Sequence, residues 1–302
     1  MQFYKYLKEC REQNHITQEE LVHELYNYDE EIFESLDTVT LSRWERNTTK
    51  PQFPKQVSII KYFQEKTDVP LPCWNHYSTE EVENLICNIG VQNLLGKTKQ
   101  LILNFPSEMM QVDELKVYPL TDTEKMHSLF ELNMDLHMAT NHKYTQMNIE
   151  QFEAWAMHPS NIFLVCEYKN RYIGLYFSIR VKEEVFDKLL NFKMKKSEIK
   201  ESDFALKDEV GSNFLLSFYA LNHKVAMMLF VRHYAYLIAN QNVIHEVGVT
   251  TALDEVKKAV SNMNLDHYKS KVTENSVNIE AYRQTLDKVL ASEYVVKMIF
   301  SE

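Results

Sequence analysis

The sequence has 302 residues, of which 45% are hydrophobic and 25% are charged, and its formal net charge is −10. This length accommodates two domains with separate cores, and the composition is ordinary for soluble globular proteins. The negative charge argues against a protein that coats nucleic acid without regard to sequence, because such binding depends on positive charge.

Three further observations narrow the class of protein. No apolar run reaches the roughly 18 residues that a membrane helix needs, and the amino terminus lacks the apolar core of a signal peptide. The four cysteines are widely scattered, and neither they nor the histidines show the spacing of a metal site or a disulfide framework. We therefore expect a cytoplasmic protein with no membrane partner and no bound metal.

The amino-terminal region has the pattern of several short amphipathic helices. Apolar spacing predicts helices over 3–12, 17–25 and 55–64. Thr17 and Glu20 form the pattern of a capping box, in which the threonine caps the helix and the glutamate bonds back to it. Such short helices need one another to bury their apolar faces, so they predict a small all-α domain.

A further helix is predicted over 38–46. Asp37 is a suitable N-cap, and Leu41 and Trp44 lie three positions apart on one face. Asn47 tolerates the left-handed geometry of a helix end. This arrangement leaves polar side chains along the outward edge of the helix.

Two of these helices carry a motif that resembles a known family. The resemblance is to the lambda-repressor/Cro-like (XRE) helix-turn-helix family over residues 1–66, and its main runs are Thr17-Gln18-Glu19-Glu20-Leu21, Leu41-Ser42-Arg43-Trp44-Glu45-Arg46 and Lys50-Pro51. It implies a double-stranded DNA operator and a homodimer that binds two half-sites. Arg43 is expected to read a guanine. The residues that the resemblance places at DNA are Gln18, Thr38, Val39, Thr40, Arg43, Asn47, Thr48 and Lys50.

The distribution of charge favours the same interpretation. Residues 43–66 contain six basic and two acidic side chains, although the whole chain is acidic. The insertion at 27–35, where the family has a tight turn, is acidic and would repel phosphates. We interpret it as a solvated loop held away from DNA, and a surface for a protein partner is the alternative.

The remaining sequence divides at a proline-containing joint, residues 69–72, which is expected to be stiff and extended. The predicted domains are therefore a helix-turn-helix domain at 1–68, a connector at 69–113 and a carboxy-terminal domain at 114–302. Ser78 and Glu81 open the connector helix with a capping box. Its apolar face packs either on its own chain or on a second copy.

From about residue 115 the pattern alternates between strands and helices, which predicts an α/β domain with a mixed sheet. A lysine-rich stretch at 193–200 is interpreted as a solvated loop or helix face. The predicted strands are 115–120, 161–168, 172–180, 213–221, 243–249, 267–272 and 277–285. The predicted helices are 122–138, 149–157, 224–239, 253–263 and 287–300.

This order of elements resembles the GNAT family of N-acetyltransferases, which implies a GNAT-like mixed sheet and acetyl-CoA or another acyl ligand. In that family a glycine-rich loop before the long helix binds pyrophosphate. Here the run 222–229 has no glycine, which leaves Lys224 and Val225 as the candidate anion-binding or CoA-binding positions. The family's general-acid tyrosine corresponds to Val260, which cannot donate a proton. We therefore expect no catalytic residue and no resident cofactor.

These features predict a multi-domain transcriptional regulator. An XRE-type DNA-binding domain would be joined to a catalytically inactive GNAT-like domain that senses a small-molecule ligand or forms the homodimer. Two alternatives stay open. One is an active N-acetyltransferase tethered to DNA, and the other is an antitoxin or repressor that acts through a protein partner.

Overall fold

The computed structural model describes residues 2–86, 114–122, 125–127, 129–130, 149–252, 256–257, 260, 263–273 and 276–300. Packing divides the chain into two compact units. The helical unit comprises Met1–Gly96, Val231–Asn242 and Leu286–Glu302. The α/β unit comprises Lys97–Phe230 and Val243–Thr285. The predicted domains 1–68, 69–113 and 114–302 stay predictions, because this grouping does not test which segments fold independently.

The helical unit begins with five helices. The helices predicted over 3–12, 17–25, 38–46 and 55–64 are confirmed to within a few residues. In chain order the five are α1 (Phe3–Gln13), α2 (Gln18–Tyr28), α3 (Glu30–Phe33), α4 (Thr38–Glu45) and α5 (Phe53–Thr67).

The acidic insertion at 27–35 was interpreted from the sequence as a solvated loop, and this interpretation is wrong. It contains α3, which Asp29 caps by accepting a hydrogen bond from the amide of Ile32 at 3.1 Å. Phe33 is completely buried. The acidic side chains misled the interpretation because one large apolar residue is enough to hold a short helix against the core.

The predicted helix caps are present. The Thr17 hydroxyl accepts from the Glu20 amide at 3.2 Å, and the Glu20 carboxylate accepts from the Thr17 amide at 2.7 Å. The Asp37 carboxylate accepts from the Thr40 amide at 2.7 Å. Asn47 follows α4 with a φ of 56°, the left-handed geometry expected of it.

The proline-containing joint is packed into the helical unit. Leu71 is completely buried, and its amide donates to the Gln241 side chain at 2.6 Å. Residues 79–86 form the predicted connector helix, which Ser78 caps by accepting from the amide of Glu81 at 3.3 Å. The segment 69–72, which was predicted as a stiff, extended joint between domains, therefore contributes Leu71 to a core.

Two cysteines far apart in sequence meet in the helical unit. The sulfur atoms of Cys10 and Cys73 lie 2.9 Å apart and both residues are buried. Burial, together with the neighbouring thiol, raises the pKa of Cys10 well above its ordinary value, so this thiol stays protonated at neutral pH. The scattered spacing of the cysteines gave no indication of this pair.

The last predicted helix, 287–300, is two helices, Leu286–Leu290 and Glu293–Ile299. Ser292 separates them because its hydroxyl caps the second helix, accepting from the amide of Val295 at 3.3 Å. Both helices belong to the helical unit.

The α/β unit is built on a mixed sheet of seven described strands in the order β1-β2-β3-β4-β5-β7-β6. Only β4 and β5 pair in parallel among these strands. The strand order along the chain follows the GNAT-like prediction. The strands are β1 (Lys116–Pro119), β2 (Ile162–Tyr168), β3 (Arg171–Val181), β4 (Gly211–Ala220), β5 (Ile244–Thr251), β6 (Asp266–Val272) and β7 (Asn278–Thr285).

Three further helices are α6 (Ile149–Met157), α7 (Glu183–Leu190) and α8 (His223–Ala239). The residues of α8 from Val231 onward are grouped with the helical unit. Helix α7 was not predicted from the sequence, and its apolar side packs in the core of the sheet. Gly174 of β3 lets α8 pack closely, since a Cβ at this position would overlap the side chain of Val225. Most of the predicted helices 122–138 and 253–263 lie outside the described residues.

The β2–β3 hairpin is confirmed. Its turn consists of Lys169 and Asn170, with φ values of 48° and 59°. Two consecutive left-handed residues are the geometry of the tight turn that matches the twist of the strands. Across the described residues, no helix combines the length and the apolar character that crossing a bilayer requires.

Candidate functional site

The outward face of α4 presents the side chains that the sequence analysis placed at DNA. Thr38 and Arg43 are exposed, and Val39 is 53% exposed although it is apolar. Thr40 is half-buried beside them. The following loop, which begins at Asn47, exposes the other predicted contacts, Thr48 and Lys50.

A buried carboxylate fixes this helix against its neighbours. Glu45 closes α4, and its side chain is only 4% exposed. Its two oxygens accept from the Arg11 guanidinium at 2.6 and 3.0 Å, a bidentate pair that raises the pKa of Arg11. One of them also accepts from the Gln18 amide at 2.7 Å.

This network joins α1, α2 and α4 through charge-assisted hydrogen bonds. Gln18, which was predicted to contact phosphate, has its side-chain amide engaged with Glu45. This bond holds the start of α2 against the end of α4, and the predicted DNA contact of Gln18 stays a prediction. Glu45 lies in the run Leu41–Arg46 that carries the family resemblance, but no contact was predicted for it from the sequence.

The second candidate site is a cavity of about 490 Å³ in the α/β unit. It opens where β4 and β5 separate. Their parallel pairing runs only from Gly211 and Ile244 to Leu215 and Val249, whereas β4 continues to Ala220. Beyond the last pair the two strands leave room between them. The apolar part of the wall includes Leu189, Phe192, Met194, Phe218, Val249 and Val256.

Lys196 reaches into this wall. Its ammonium donates to the carbonyl oxygen of Leu216 at 3.3 Å and lies 5.4 Å from the ring centre of Phe214. Burial lowers the pKa of Lys196 to about 8. The interpretation of 193–200 as a solvated stretch is therefore wrong at this residue.

A bulge in β4 explains why the carbonyl group of Leu216 is available. In the register with β3, Ser217 faces Phe177 and Leu215 faces Ser178, so Leu216 is the extra residue. Leu216 also lies beyond the last pair with β5. This arrangement could not be predicted from the sequence, because no local pattern indicates that a lysine in one loop contacts a bulge in a distant strand.

The start of α8 is satisfied by its own residues. The side-chain oxygen of Asn222 accepts from the Val225 amide at 3.1 Å. The side chains of Val225, Ala226 and Met227 are buried. The amide of Val225, which the GNAT resemblance offered to an anion, is occupied by the Asn222 cap.

No family model matches the chain, and no curated protein sequence matches it. Solved structures give partial matches. FeeM, an N-acyl amino acid synthase from uncultured soil microbes, has a TM-score of 0.43 and 10% identity, covering 59% of this chain and 94% of its own. An N-acetyltransferase from Staphylococcus aureus Mu50 has a TM-score of 0.40 and 12% identity, covering 57% and 98%.

A GNAT-family acetyltransferase from Streptococcus pneumoniae has a TM-score of 0.39 and 10% identity, covering 57% of this chain and 99% of its own. At these identities the likeness concerns the fold alone. The helix-turn-helix resemblance has no counterpart among these three structures and stays a prediction.

The position that the GNAT resemblance assigns to a general acid is Val260, which is 3% exposed. A buried valine offers neither a proton nor a hydrogen bond. Across the described ranges, no group of three or more His, Cys, Asp or Glu side chains is arranged to hold a metal ion.

Proposed function

We propose that this chain is a sequence-specific DNA-binding transcriptional regulator whose α/β unit binds a small-molecule ligand. The observation that carries the proposal is the exposed polar face of α4, held in place from behind by the buried Glu45 network. A recognition helix needs both properties, because base contacts discriminate only when the helix is fixed relative to the DNA backbone.

The side chains of this face suit a major groove. Arg43 would donate two hydrogen bonds to a guanine, and Val39 would contact a thymine methyl group. Lys50 in the following loop would contact a phosphate and would carry no sequence information. A homodimer would place two copies of α4 about 34 Å apart, one helical turn of DNA.

The test uses full-length protein and DNA from the region upstream of its own coding sequence, at two salt concentrations. We expect specific, salt-sensitive binding. Arg43→Ala should lose about 1–3 kcal/mol of discrimination at one base pair. Lys50→Ala should weaken binding to all DNA sequences equally and should reduce the salt dependence of the affinity. An Arg43→Ala variant with unchanged sequence preference would contradict the assignment.

The same binding measurement, repeated with acetyl-CoA, tests whether the α/β unit responds to this ligand. An affinity for DNA that does not change with acetyl-CoA would indicate that the α/β unit does not use this ligand. An affinity for DNA that changes would indicate that the α/β unit senses acyl groups. If no DNA sequence is preferred and a second protein co-purifies in stoichiometric amount, the protein-partner alternative gains support.

Acyl transfer is the second candidate function. The cavity at the diverging ends of β4 and β5 supports it, because ligands in open α/β sheets bind at the carboxyl ends of strands. The buried Val260 and the capped start of α8 weigh against it. Release of free thiol from acetyl-CoA in the presence of amine acceptors would establish it, and tight binding without turnover would favour the sensor.

A further inference from the structure

The cavity between β4 and β5 combines an apolar wall with positive charge. Three lysines line it, Lys195, Lys196 and Lys271, and no carboxylate is found among the described residues of its wall. Most of the remaining wall is aliphatic or aromatic. A ligand that matches this surface carries a hydrocarbon portion and a negative charge.

The position of Lys196 decides where the charge would bind. Its ammonium is held by one carbonyl oxygen and one aromatic face, and its described neighbours in the cavity wall include no carboxylate. Lys196 is partly buried, and a protonated lysine partly removed from water gains most from an anionic partner, because one neutral acceptor replaces only part of its lost hydration. Lys195 and Lys271 are exposed and add positive potential at the same site.

The loop that carries Lys196 is itself anchored. The Gln151 amide of α6 donates to the carbonyl oxygens of Ser197 and Ile199, at 3.1 Å each. Ile199 is buried in the core. These contacts fix the main chain on the carboxyl side of Lys196, so the ammonium is positioned before a ligand arrives.

We propose that this cavity binds an aliphatic carboxylate, with its carboxylate on the Lys196 ammonium and its hydrocarbon chain against the apolar wall. The inference rests on the proposed ligand-binding role of the α/β unit. It does not depend on DNA binding, because the ligand is measured against the protein alone. Failure of one proposal therefore leaves the other to be judged on its own result.

The experiment is calorimetric titration of the full chain with sodium dodecanoate below its micelle concentration. Dodecan-1-ol provides the same chain without the charge, and butanoate provides the charge without the chain. We expect dodecanoate to bind at least tenfold more tightly than dodecan-1-ol. Within the carboxylate series, affinity should fall about fourfold for each methylene removed.

Two variants separate the contribution of Lys196 from general electrostatics. Lys196→Met keeps an unbranched apolar stem, and it should weaken dodecanoate about 10- to 100-fold while leaving dodecan-1-ol unchanged. Lys193→Met makes the same charge change on an exposed residue of the same loop, outside the cavity wall, and should alter dodecanoate binding by less than threefold.

Two outcomes with the native protein and one with the variants would overturn the proposal. If dodecanoate and dodecan-1-ol bind with equal affinity, the charge of Lys196 is not used. If neither binds, the cavity is not a site for aliphatic ligands. If Lys193→Met weakens dodecanoate as much as Lys196→Met, the attraction is a property of the surface and the assignment to Lys196 is wrong.

Discussion

Replacing Lys196 with methionine should make the α/β unit more stable at neutral pH. Burial lowers the pKa of Lys196 from 10.5 to about 8. At about 1.4 kcal/mol for each tenfold change in proton affinity, the charged form is disfavoured by roughly 3 kcal/mol relative to water. Methionine removes this cost and keeps the stem, but it leaves the Leu216 carbonyl oxygen without its donor, which costs about 1 kcal/mol. We expect a net gain of about 1–2 kcal/mol.

The pH dependence of the stability gain distinguishes the removal of a buried charge from better packing. Between pH 8 and 10.5 the unfolded lysine still holds a proton that the folded one has released, so the native protein gains stability as pH rises through this window. The advantage of Lys196→Met should therefore be greatest below pH 8 and should disappear by pH 10.5. Equal advantages at pH 7 and pH 10.5 would refute the reasoning.

Unfolding of the α/β unit can be followed separately through Cys166, a completely buried residue of β2. Protein equilibrated in urea is given a brief pulse of thiol reagent, and mass spectrometry measures the labelled fraction of the peptide that contains Cys166. Lys193→Met serves as the matched control, since an exposed lysine has no burial cost to remove.

Three further predictions concern other residues. Glu45→Ala leaves the Arg11 guanidinium, whose side chain is 14% exposed, with the Glu12 carboxylate at 3.6 Å and the Ile16 carbonyl oxygen at 2.9 Å as its remaining partners. We expect a loss of about 2–3 kcal/mol in urea unfolding of the helical unit. Burial lowers the pKa of His233 to about 3, so the unfolded state takes up a proton first as pH falls below 6.5. We therefore expect His233→Gln to reduce the loss of thermal stability between pH 6.5 and 3. Asn170→Gly relieves a left-handed residue in the hairpin turn and should raise the unfolding free energy by roughly 0.5–1 kcal/mol in the Cys166 labelling assay.

Each of these predictions has a control or an outcome that would contradict it. The double variant Arg11→Met, Glu45→Met removes both charges and should lose less than Glu45→Ala; a larger loss would contradict the ion-pair argument. His76 is exposed, and His76→Gln should leave the acid sensitivity unchanged. If Asn170→Gly lowers stability, the turn is held by contacts of the asparagine side chain.

Local chemistry explains which parts of the fold could be predicted. Asp37 and Thr17 cap their helices through bonds to amides three residues away, and such bonds are readable from sequence. The β2–β3 turn likewise follows from two neighbouring residues. The buried position of Phe33 could not be read in the same way, because surrounding acidic residues dominate the local pattern of that insertion.

The two candidate sites differ in the same way: one depends on local sequence and the other on tertiary packing. The exposed face of α4 could be predicted because the buried positions Leu41 and Trp44 lie three apart on one helix and leave residues such as Thr38 and Arg43 on the opposite side. The Lys196 site was missed because it requires a loop, a bulged strand and the separation of two strands at once. Lysine is normally a solvent-exposed residue, and only tertiary packing reverses this expectation.

Because Cys10 and Cys73 lie close together, the conditions of an experiment decide whether the helical unit is reduced or cross-linked by a disulfide. Their sulfur atoms, 2.9 Å apart, need to approach by less than the length of a bond to form a disulfide. Closing a loop of this length would remove about 4 kcal/mol of unfolded-state entropy. A melting temperature measured without reductant would then describe a cross-linked molecule, and one measured with reductant would describe the dithiol. Intact-mass analysis after treatment with a mild oxidant such as diamide would detect the loss of two hydrogens.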